Sequence, residues 1–419
     1  MSNTQKKNVP ELRFPGFEGE WEEKKLGDLT DRVIRKNKNL ESKKPLTISG
    51  QLGLIDQTEY FSKSVSSKNL ENYTLIKNGE FAYNKSYSNG YPLGAIKRLT
   101  RYDSGVLSSL YICFSIKSEM SKDFMEAYFD STHWYREVSG IAVEGARNHG
   151  LLNVSVNDFF TILIKYPSLE EQQKIGKFFS KLDRQIELEE QKLELLQQQK
   201  KCYMQKIFSQ ELRFKDENGN DYPEWENVML QKVLKDKTEG IKRGPFGGAL
   251  KKDIFVESGY AVYEQRNAIY DISNFRYYID ENKYNEMISF SVQPNDIIMS
   301  CSGTIGRLSL IPQNFTKGII NQALIRFRTN HKIRSEFFLI FMRSNQMQRK
   351  ILEANPGSAI TNLVPVKELK LIPFPLPVKF EQDKISQFIL IINRRIEQSE
   401  KKIESLKNRK QGFLLKLFV

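Results

Sequence analysis

PSLEEQQKIGKFFSKLDRQIELEEQKLELLQQQKKCYMQKIF, residues 167–208, returns without a gap as PVKFEQDKISQFILIINRRIEQSEKKIESLKNRKQGFLLKLF, residues 377–418. The offset is a constant 210, and the alignment extends back to 153 against 363. Glu171-Gln172-Gln173-Lys174-Ile175 answers to Glu381-Gln382-Asp383-Lys384-Ile385. Apolar residues of the first copy fall at Ile175, Phe179, Leu182, Ile186, Leu193, Leu196, Tyr203 and Ile207. Those of the second fall at Ile385, Ile389, Ile392, Ile396, Ile403, Leu406, Phe413 and Leu417. With Glu189 and Lys200, or Ser399 and Lys410, in the gaps, the spacing is 4-3-4-3, that of a coiled-coil seam. Neither copy has an internal proline; Pro167 and Pro377 mark the entrances, with Ser168 as an N-cap. Each helix of about 38 residues would run roughly 57 Å.

A long helix with one apolar seam needs a partner. The economical partner is the other copy, antiparallel, with the polar seam positions setting the register and bringing Glu189 to Lys410, or Ser399 to Lys200. Pairing between two chains is the competing arrangement. An intramolecular pair would put the divergent regions at opposite ends of a rod, which then acts as a ruler. The openings repeat too: Glu11-Leu12-Arg13-Phe14 as Glu211-Leu212-Arg213-Phe214, and Glu20-Trp21 as Glu224-Trp225. Because the first copy ends at Phe208 just before Glu211, the second, ending at Phe418, should lie beside Glu11. The two ends of the chain are therefore expected to be neighbours.

Between opening and helix the copies share only a skeleton. Asn78-Gly79-Glu80-Phe81 matches Pro294-Asn295-Asp296-Ile297, and a Gly-initiated apolar run at 105 matches one at 318. Strands are expected at Leu107–Ile116, Ile297–Ser300 and Leu324–Phe327, with helices at 121–139 and 334–353. The division is 1–166, a first α+β head; 167–209, a helix; 210–376, a second head; and 377–419, a second helix. A constant frame carrying two divergent heads suits two readers of different specificity.

The 419 residues hold 64 basic and 51 acidic side chains, a net charge of +13, which favours a polyanion over a membrane as partner. Between 301 and 350 nine basic residues face one acid, Glu336, which reads as a phosphate-facing surface. The longest apolar runs fall far short of the ~20 residues a bilayer needs. The N-terminal MSNTQKKNVPELRF lacks a secretory apolar region, so a cytoplasmic protein is expected. Cys113, Cys202 and Cys301 are too far apart for a zinc spacing or a disulfide framework, and no metal site is expected.

Several polar loops carry side chains suited to DNA. In the first head they supply Lys85, Tyr87, Asn89, Tyr91, Arg147, Asn148 and His149. In the second they supply Lys242, Arg243, Gln265, Arg266, Asn267, Ser302, Thr304, Arg307, Asn321 and Gln322. Arg pairs with guanine O6 and N7, and Asn or Gln with adenine N6 and N7. Ser, Thr and loop amides position phosphates, while Tyr and Phe either stack on a displaced base or simply belong to the core. Each loop alone reads more readily as an ordinary turn than as a base contact; the set carries more weight than any member. No nucleotide-binding Gly-rich loop, methyltransferase motif or Ser-His-Asp constellation is apparent, so no catalytic residue is expected, while scattered acids and lysines leave a nuclease site open.

The duplicated ELRF…EW openings, the Ser302-Gly303-Thr304-Ile305-Gly306 segment and the duplicated Pro-x(3)-E-Q-x-K-I helix starts resemble the DNA specificity subunits of type I restriction–modification enzymes. The likeness covers nearly the whole chain. In the first head Ser88-Asn89-Gly90-Tyr91-Pro92-Leu93-Gly94 replaces the SGTIG pattern. The resemblance implies two pseudo-symmetric α/β target recognition domains separated by two long helices in an antiparallel coiled coil. It implies that each head reads half of an asymmetric bipartite sequence in double-stranded DNA and that the helices set the spacer. It implies two methyltransferase subunits as partners, which methylate adenine, and further restriction and translocase subunits. It implies no cofactor on this chain, with S-adenosylmethionine, ATP and Mg on the partners. The rivals are a free-standing two-headed regulator and a coiled-coil interaction protein, which differ in whether DNA is bound without a methyltransferase or at all.

Overall fold

The two repeated segments form helices that outrun every other element: Leu169–Phe208 and Lys379–Lys416. The computed structural model describes residues 8–50, 52–61, 69–86, 90–144, 152–236, 239–353 and 365–419. The chain divides into two compact units, Met1–Lys192 with Ser399–Val419, and Leu193–Gln398. Each unit therefore takes part of both long helices.

The helices run antiparallel, and each unit shows it separately. In the first, Asp183 pairs with Lys410, Glu190 with Lys407, and Glu189 with Lys402, while Leu182, Ile186 and Leu406 form one apolar cluster. In the second, Tyr203 packs on Phe388 at 5.1 Å between ring centres, and Ile207 shares a core with Ile385 and Ile389. Ile175, Phe179, Ile392 and Ile403 are buried; Leu193, Leu196 and Ile396 are half-buried. Ser168 caps the first helix, its Oγ 3.4 Å from the Glu171 amide. The polar seam pairing differs from expectation. Glu189 meets Ser399 at 3.3 Å, not Lys410, and Lys410 is drawn to Asp183 and Asp130 instead. Two carboxylates at 2.7 Å each outbid one more distant along the seam.

The first unit contains a four-stranded antiparallel sheet. Its strands are β1 (Thr30–Arg32), β2 (Phe81–Asn84), β3 (Ala95–Arg98) and β4 (Tyr111–Ile116), in the order β1-β4-β2-β3. Helices α1 (Lys122–Asp130) and α2 (Tyr135–Ile141) follow. The second unit repeats the plan with β5 (Ile241–Arg243), α3 (Gln265–Tyr270), β6 (Ile297–Ser300), β7 (Leu308–Leu310) and β8 (Leu324–Phe327). Its sheet order is β5-β8-β6-β7, followed by α4 (Ser335–Met342) and α5 (Asn345–Glu353). Each expected long helix of a head is thus a pair. The expected strand over 107–116 is interrupted, because Leu107 ends the strand Ser104–Leu107, which forms a separate pair with Thr74–Lys77 before β4 begins.

The faint skeleton match has a physical cause. Gly79 and Asn295 both take positive φ, 83° and 68°, just before β2 and β6. One residue on, Glu80 and Asp296 accept the amides of Lys77 and Gln293 at 2.7 and 2.8 Å. The same acids hold Arg35 and Arg328. By contrast, the runs at 105 and 318 differ: the first pairs antiparallel with Thr74–Lys77, the second parallel with Tyr260–Tyr263.

The E-Q pair that opens each long helix is buried and anchors the head. Glu171 accepts two hydrogen bonds from Arg13, at 2.8 and 2.7 Å; Glu381 accepts two from Arg213, at 3.2 and 2.8 Å. The neighbouring Gln172 Oε1 accepts the Ser121 amide ahead of α1, and Gln382 Oε1 the Arg334 amide ahead of α4. Each glutamine thereby satisfies an amide that the start of a helix leaves without a partner. The chain's ends do meet. The Leu12 amide donates to the Lys416 carbonyl at 2.8 Å, the counterpart of Leu212 to Lys206 at 3.0 Å in the second unit.

Lys97, Asp130, Lys410 and Asp183 form a connected charge cluster in the first unit. Burial alone would raise the Asp130 carboxyl, but the Lys97 and Lys410 ammoniums outweigh it and hold the pKa at about 2. A carboxyl depressed in the fold stabilises it above the unfolded value and loses that contribution as pH falls through the folded one. Wild type is expected to exceed Asp130→Asn by about 2 kcal/mol at neutral pH. The gap closes between about pH 4 and pH 2, read from urea midpoints across that range. A gap independent of pH would show that Asp130 acts through shape and not charge.

Candidate nucleic-acid interface

In the second unit the ends of β5, β6 and β8 bring together loops far apart in sequence. The Gly244 amide donates to the Leu324 carbonyl at 2.9 Å, and a Cβ at Gly244 would lie 1.8 Å from the Asn321 carbonyl oxygen. Only glycine permits that approach, so the loop after Arg243 is seated on the Asn321-Gln322 turn. The Cys301 amide donates to the Ala323 carbonyl at 2.9 Å. Burial pushes the Cys301 thiol up to about 11, against the opposing pull of Arg243 beside it. From the start of α3, Gln265 Nε2 donates to the Ser302 carbonyl and reaches that of Thr304 at 3.4 Å. Arg243, Gln265, Ser302, Thr304, Asn321 and Gln322 thus form one cluster at the sheet's end.

Arg266 and Arg307 flank it, and neither guanidinium has an ion-pair or hydrogen-bond partner among the described residues. Arg307 is exposed and Arg266 half-exposed. Phe246, on the loop after Arg243, is 91% exposed, and Tyr270 at the end of α3 is 69% exposed. Sequence reasoning did not single out either aromatic. The Pro245-Phe246-Gly247 context was the available signal, since a loop between proline and glycine offers a large ring little cover.

Two members of the expected set turn elsewhere. Asn267 is 2% exposed, and its amide donates to the Ile272 and Asn274 carbonyls while accepting the Glu264 amide. Its hydrogen-bonding capacity is occupied in capping α3. Lys242 points to the other side of its strand, its ammonium 4.8 Å from the centre of the Phe290 ring.

The basic window 301–350 is not one phosphate-facing surface. Arg326 is 1% exposed and held by the Ser291 carbonyl. Arg328 makes a bidentate pair with Asp296 at 2.8 and 2.9 Å. Arg334 is paired with Asp383 and Arg343 with Asp271. Buried arginines need such partners, and sequence-local counting missed carboxylates that lie outside the window.

In the first unit, Lys85 is half-buried and lies against the antiparallel strand pair Val143–Glu144 and Leu152–Asn153. Its carbonyl accepts the Leu152 amide at 3.0 Å and its ammonium reaches the Val154 carbonyl at 3.4 Å. Tyr91 donates its hydroxyl to the Gly50 carbonyl at 2.8 Å and packs its ring over Gly50. Tyr87, Asn89, Arg147, Asn148 and His149 lie outside the described residues. Among the described residues, no three His, Cys, Asp or Glu side chains are placed to share a metal ion, and no helix is long and apolar enough to cross a membrane.

The type I restriction modification DNA specificity domain matches residues 18–198 and 247–408. A curated relative, the type I restriction enzyme MjaVIII specificity subunit of Methanocaldococcus jannaschii, is 23% identical over 97% of this chain and 93% of its own length. The crystal structure of the type I restriction–modification S subunit from M. genitalium superposes with a TM-score of 0.57 at 15% identity, covering 98% of this chain and 99% of that one. A chain solved in work on complex assembly and conformational transition of the type I R–M system gives 0.56 at 18% identity, covering 98% and 99%.

Proposed function

The chain belongs to the type I restriction modification DNA specificity family, and it is a DNA-recognition subunit; on that premise we propose that each unit reads one half of an asymmetric, bipartite target. The observation that carries this is one sheet plan, repeated in both units, with different loops at its end. Arg243, Gln265, Arg266, Thr304, Arg307, Asn321 and Gln322 are the second unit's candidates for base and phosphate contacts, with Phe246 as a stacking surface. The chain supplies recognition and no catalytic group. Methyltransferase subunits, two per chain, and restriction subunits bring S-adenosylmethionine, ATP and Mg, and the complex works in the cytoplasm. Family membership disfavours a free-standing regulator.

The paired helices set the spacer between half-sites. Four residues inserted into one long helix should change the spacer in the methylated motif and leave both half-sites intact. An unchanged spacer in the methylation map overturns the ruler. Arg266→Ala should relax one half-site alone, at about 1–3 kcal/mol of discrimination against a wrong base. Uniform weakening over all sequences would mark Arg266 as a phosphate contact.

A further inference from the structure

The loop between β6 and β7 is gripped from two sides by glutamine amides. Gln265, at the start of α3, donates from Nε2 to the Ser302 carbonyl and, at 3.4 Å, to the Thr304 carbonyl. Gln348, on α5, donates from Nε2 to the Gly306 carbonyl at 3.0 Å and to the Met342 carbonyl at 2.8 Å. A Cβ at Gly306 would lie 2.8 Å from Gln348 Oε1, and φ there is 78°, so glycine is what lets this side close. The stem is tied as well. The Gly306 amide donates to the Ser300 carbonyl at 2.9 Å, the Ser300 amide to the Arg307 carbonyl at 2.8 Å, and the Arg307 amide to Ser300 Oγ at 3.0 Å. A side-chain amide has two N–H donors, and both glutamines spend theirs on main-chain carbonyls.

The groups the loop leaves over are of one kind. Gly303, Thr304 and Arg307 are exposed. The amides of Gly303, Thr304 and Ile305, the Thr304 hydroxyl and the Arg307 guanidinium have no partner among the described residues. The carbonyls of Ser302, Thr304 and Gly306 are taken. Unpaired donors beside a cation, with the neighbouring acceptors occupied, suit an anion. Most of these donors are main-chain amides, which position a phosphate and carry no sequence information.

We infer that this loop holds one phosphate of the DNA backbone at the second half-site and reads no base. The loop amides and the Thr304 hydroxyl donate to the phosphate, and Arg307 supplies charge. Gln265 and Gln348 are positioning residues: they hold the loop's carbonyl oxygens, which would repel a phosphate, away from it. Gln265 thereby leaves the set of base readers, and Gln348, which sequence reasoning did not single out, joins the interface from behind. The inference deepens the recognition reading of the second unit and rests on it.

The test uses the complex purified from the host through a tagged full chain, and duplexes carrying the motif that methylation mapping gives. Each phosphate of the second half-site is replaced in turn by an uncharged methylphosphonate. In wild type, several of these replacements should weaken binding. Thr304→Val should lower affinity roughly tenfold. Gln348→Glu, which sets a carboxylate against the Gly306 carbonyl, should do the same. In both variants one and the same methylphosphonate should cease to matter, while the others still weaken binding. The methylated motif should be unchanged, because loss of a phosphate contact weakens all sequences alike. A purely structural role for Gln348 would not silence the same phosphate as Thr304→Val. Thr304 is exposed, so Thr304→Val should fold even where Gln348→Glu does not, and circular dichroism melts check both. Relaxation of one base position in the motif overturns the inference and makes the loop a base reader. Methylphosphonate effects that persist unchanged in Thr304→Val overturn the inference alone. A wild type indifferent to every methylphosphonate of that half-site overturns both the inference and the recognition reading of the second unit.

Discussion

Replacing Glu381 with alanine is expected to destabilise the second unit by about 3–5 kcal/mol. Glu381 is fully buried and accepts from Arg213 Nε and Nη2 and from Trp225 Nε1, the last at 2.8 Å. Its removal leaves a guanidinium that is only 20% exposed and an indole N–H with no acceptor. An uncompensated buried charge costs far more than an exposed ion pair contributes. The counterpart Glu171→Ala should cost less. Glu171 holds Arg13, but the Trp21 indole N–H has no partner among the described residues, so one fewer bond is lost. Urea unfolding followed by tryptophan fluorescence measures both. A loss under about 1 kcal/mol for Glu381→Ala would show that Arg213 reaches water freely.

Phe418→Ala is the second large effect, about 3–5 kcal/mol, confined to the first unit. The Phe418 ring is 2% exposed and lies 5.5 Å from Phe124, 5.7 Å from Tyr128, 5.8 Å from Phe179 and 6.3 Å from Trp21. It joins the end of the second long helix to the head that opens the chain. Truncation leaves a cavity walled by aromatic rings that cannot collapse together. Hydrogen exchange should show protection lost around α1 and the start of the first long helix, with the second unit's amides unchanged. Loss spread equally over both units would contradict the division of the chain.

The helices were legible because a seam of period 3.5 repeats twice at one offset, and no local choice conflicts with it. The expected antiparallel pairing and meeting of the chain's ends follow from that duplication. The heads were legible only as a class. Their sheet rests on features such as the left-handed turn at Gly79 and Asn295, where two different residues meet the same backbone demand. Nor does sequence distance tell which loops meet: Arg243, Gln265, Ser302 and Gln322 come together through strand pairing of Ile241–Arg243 and Ile297–Ser300 with Leu324–Phe327. Charge counting failed for the opposite reason. Asp296 and Asp383 neutralise arginines from outside the window in which those arginines were counted.

The central claim, that this subunit directs methylation to a split target, is tested most directly by mapping adenine methylation across the host genome with and without the gene. The account predicts the loss of one asymmetric motif made of two half-sites and a fixed gap. Loss of a continuous motif, or an unchanged map in a host shown to express the complex, would contradict it.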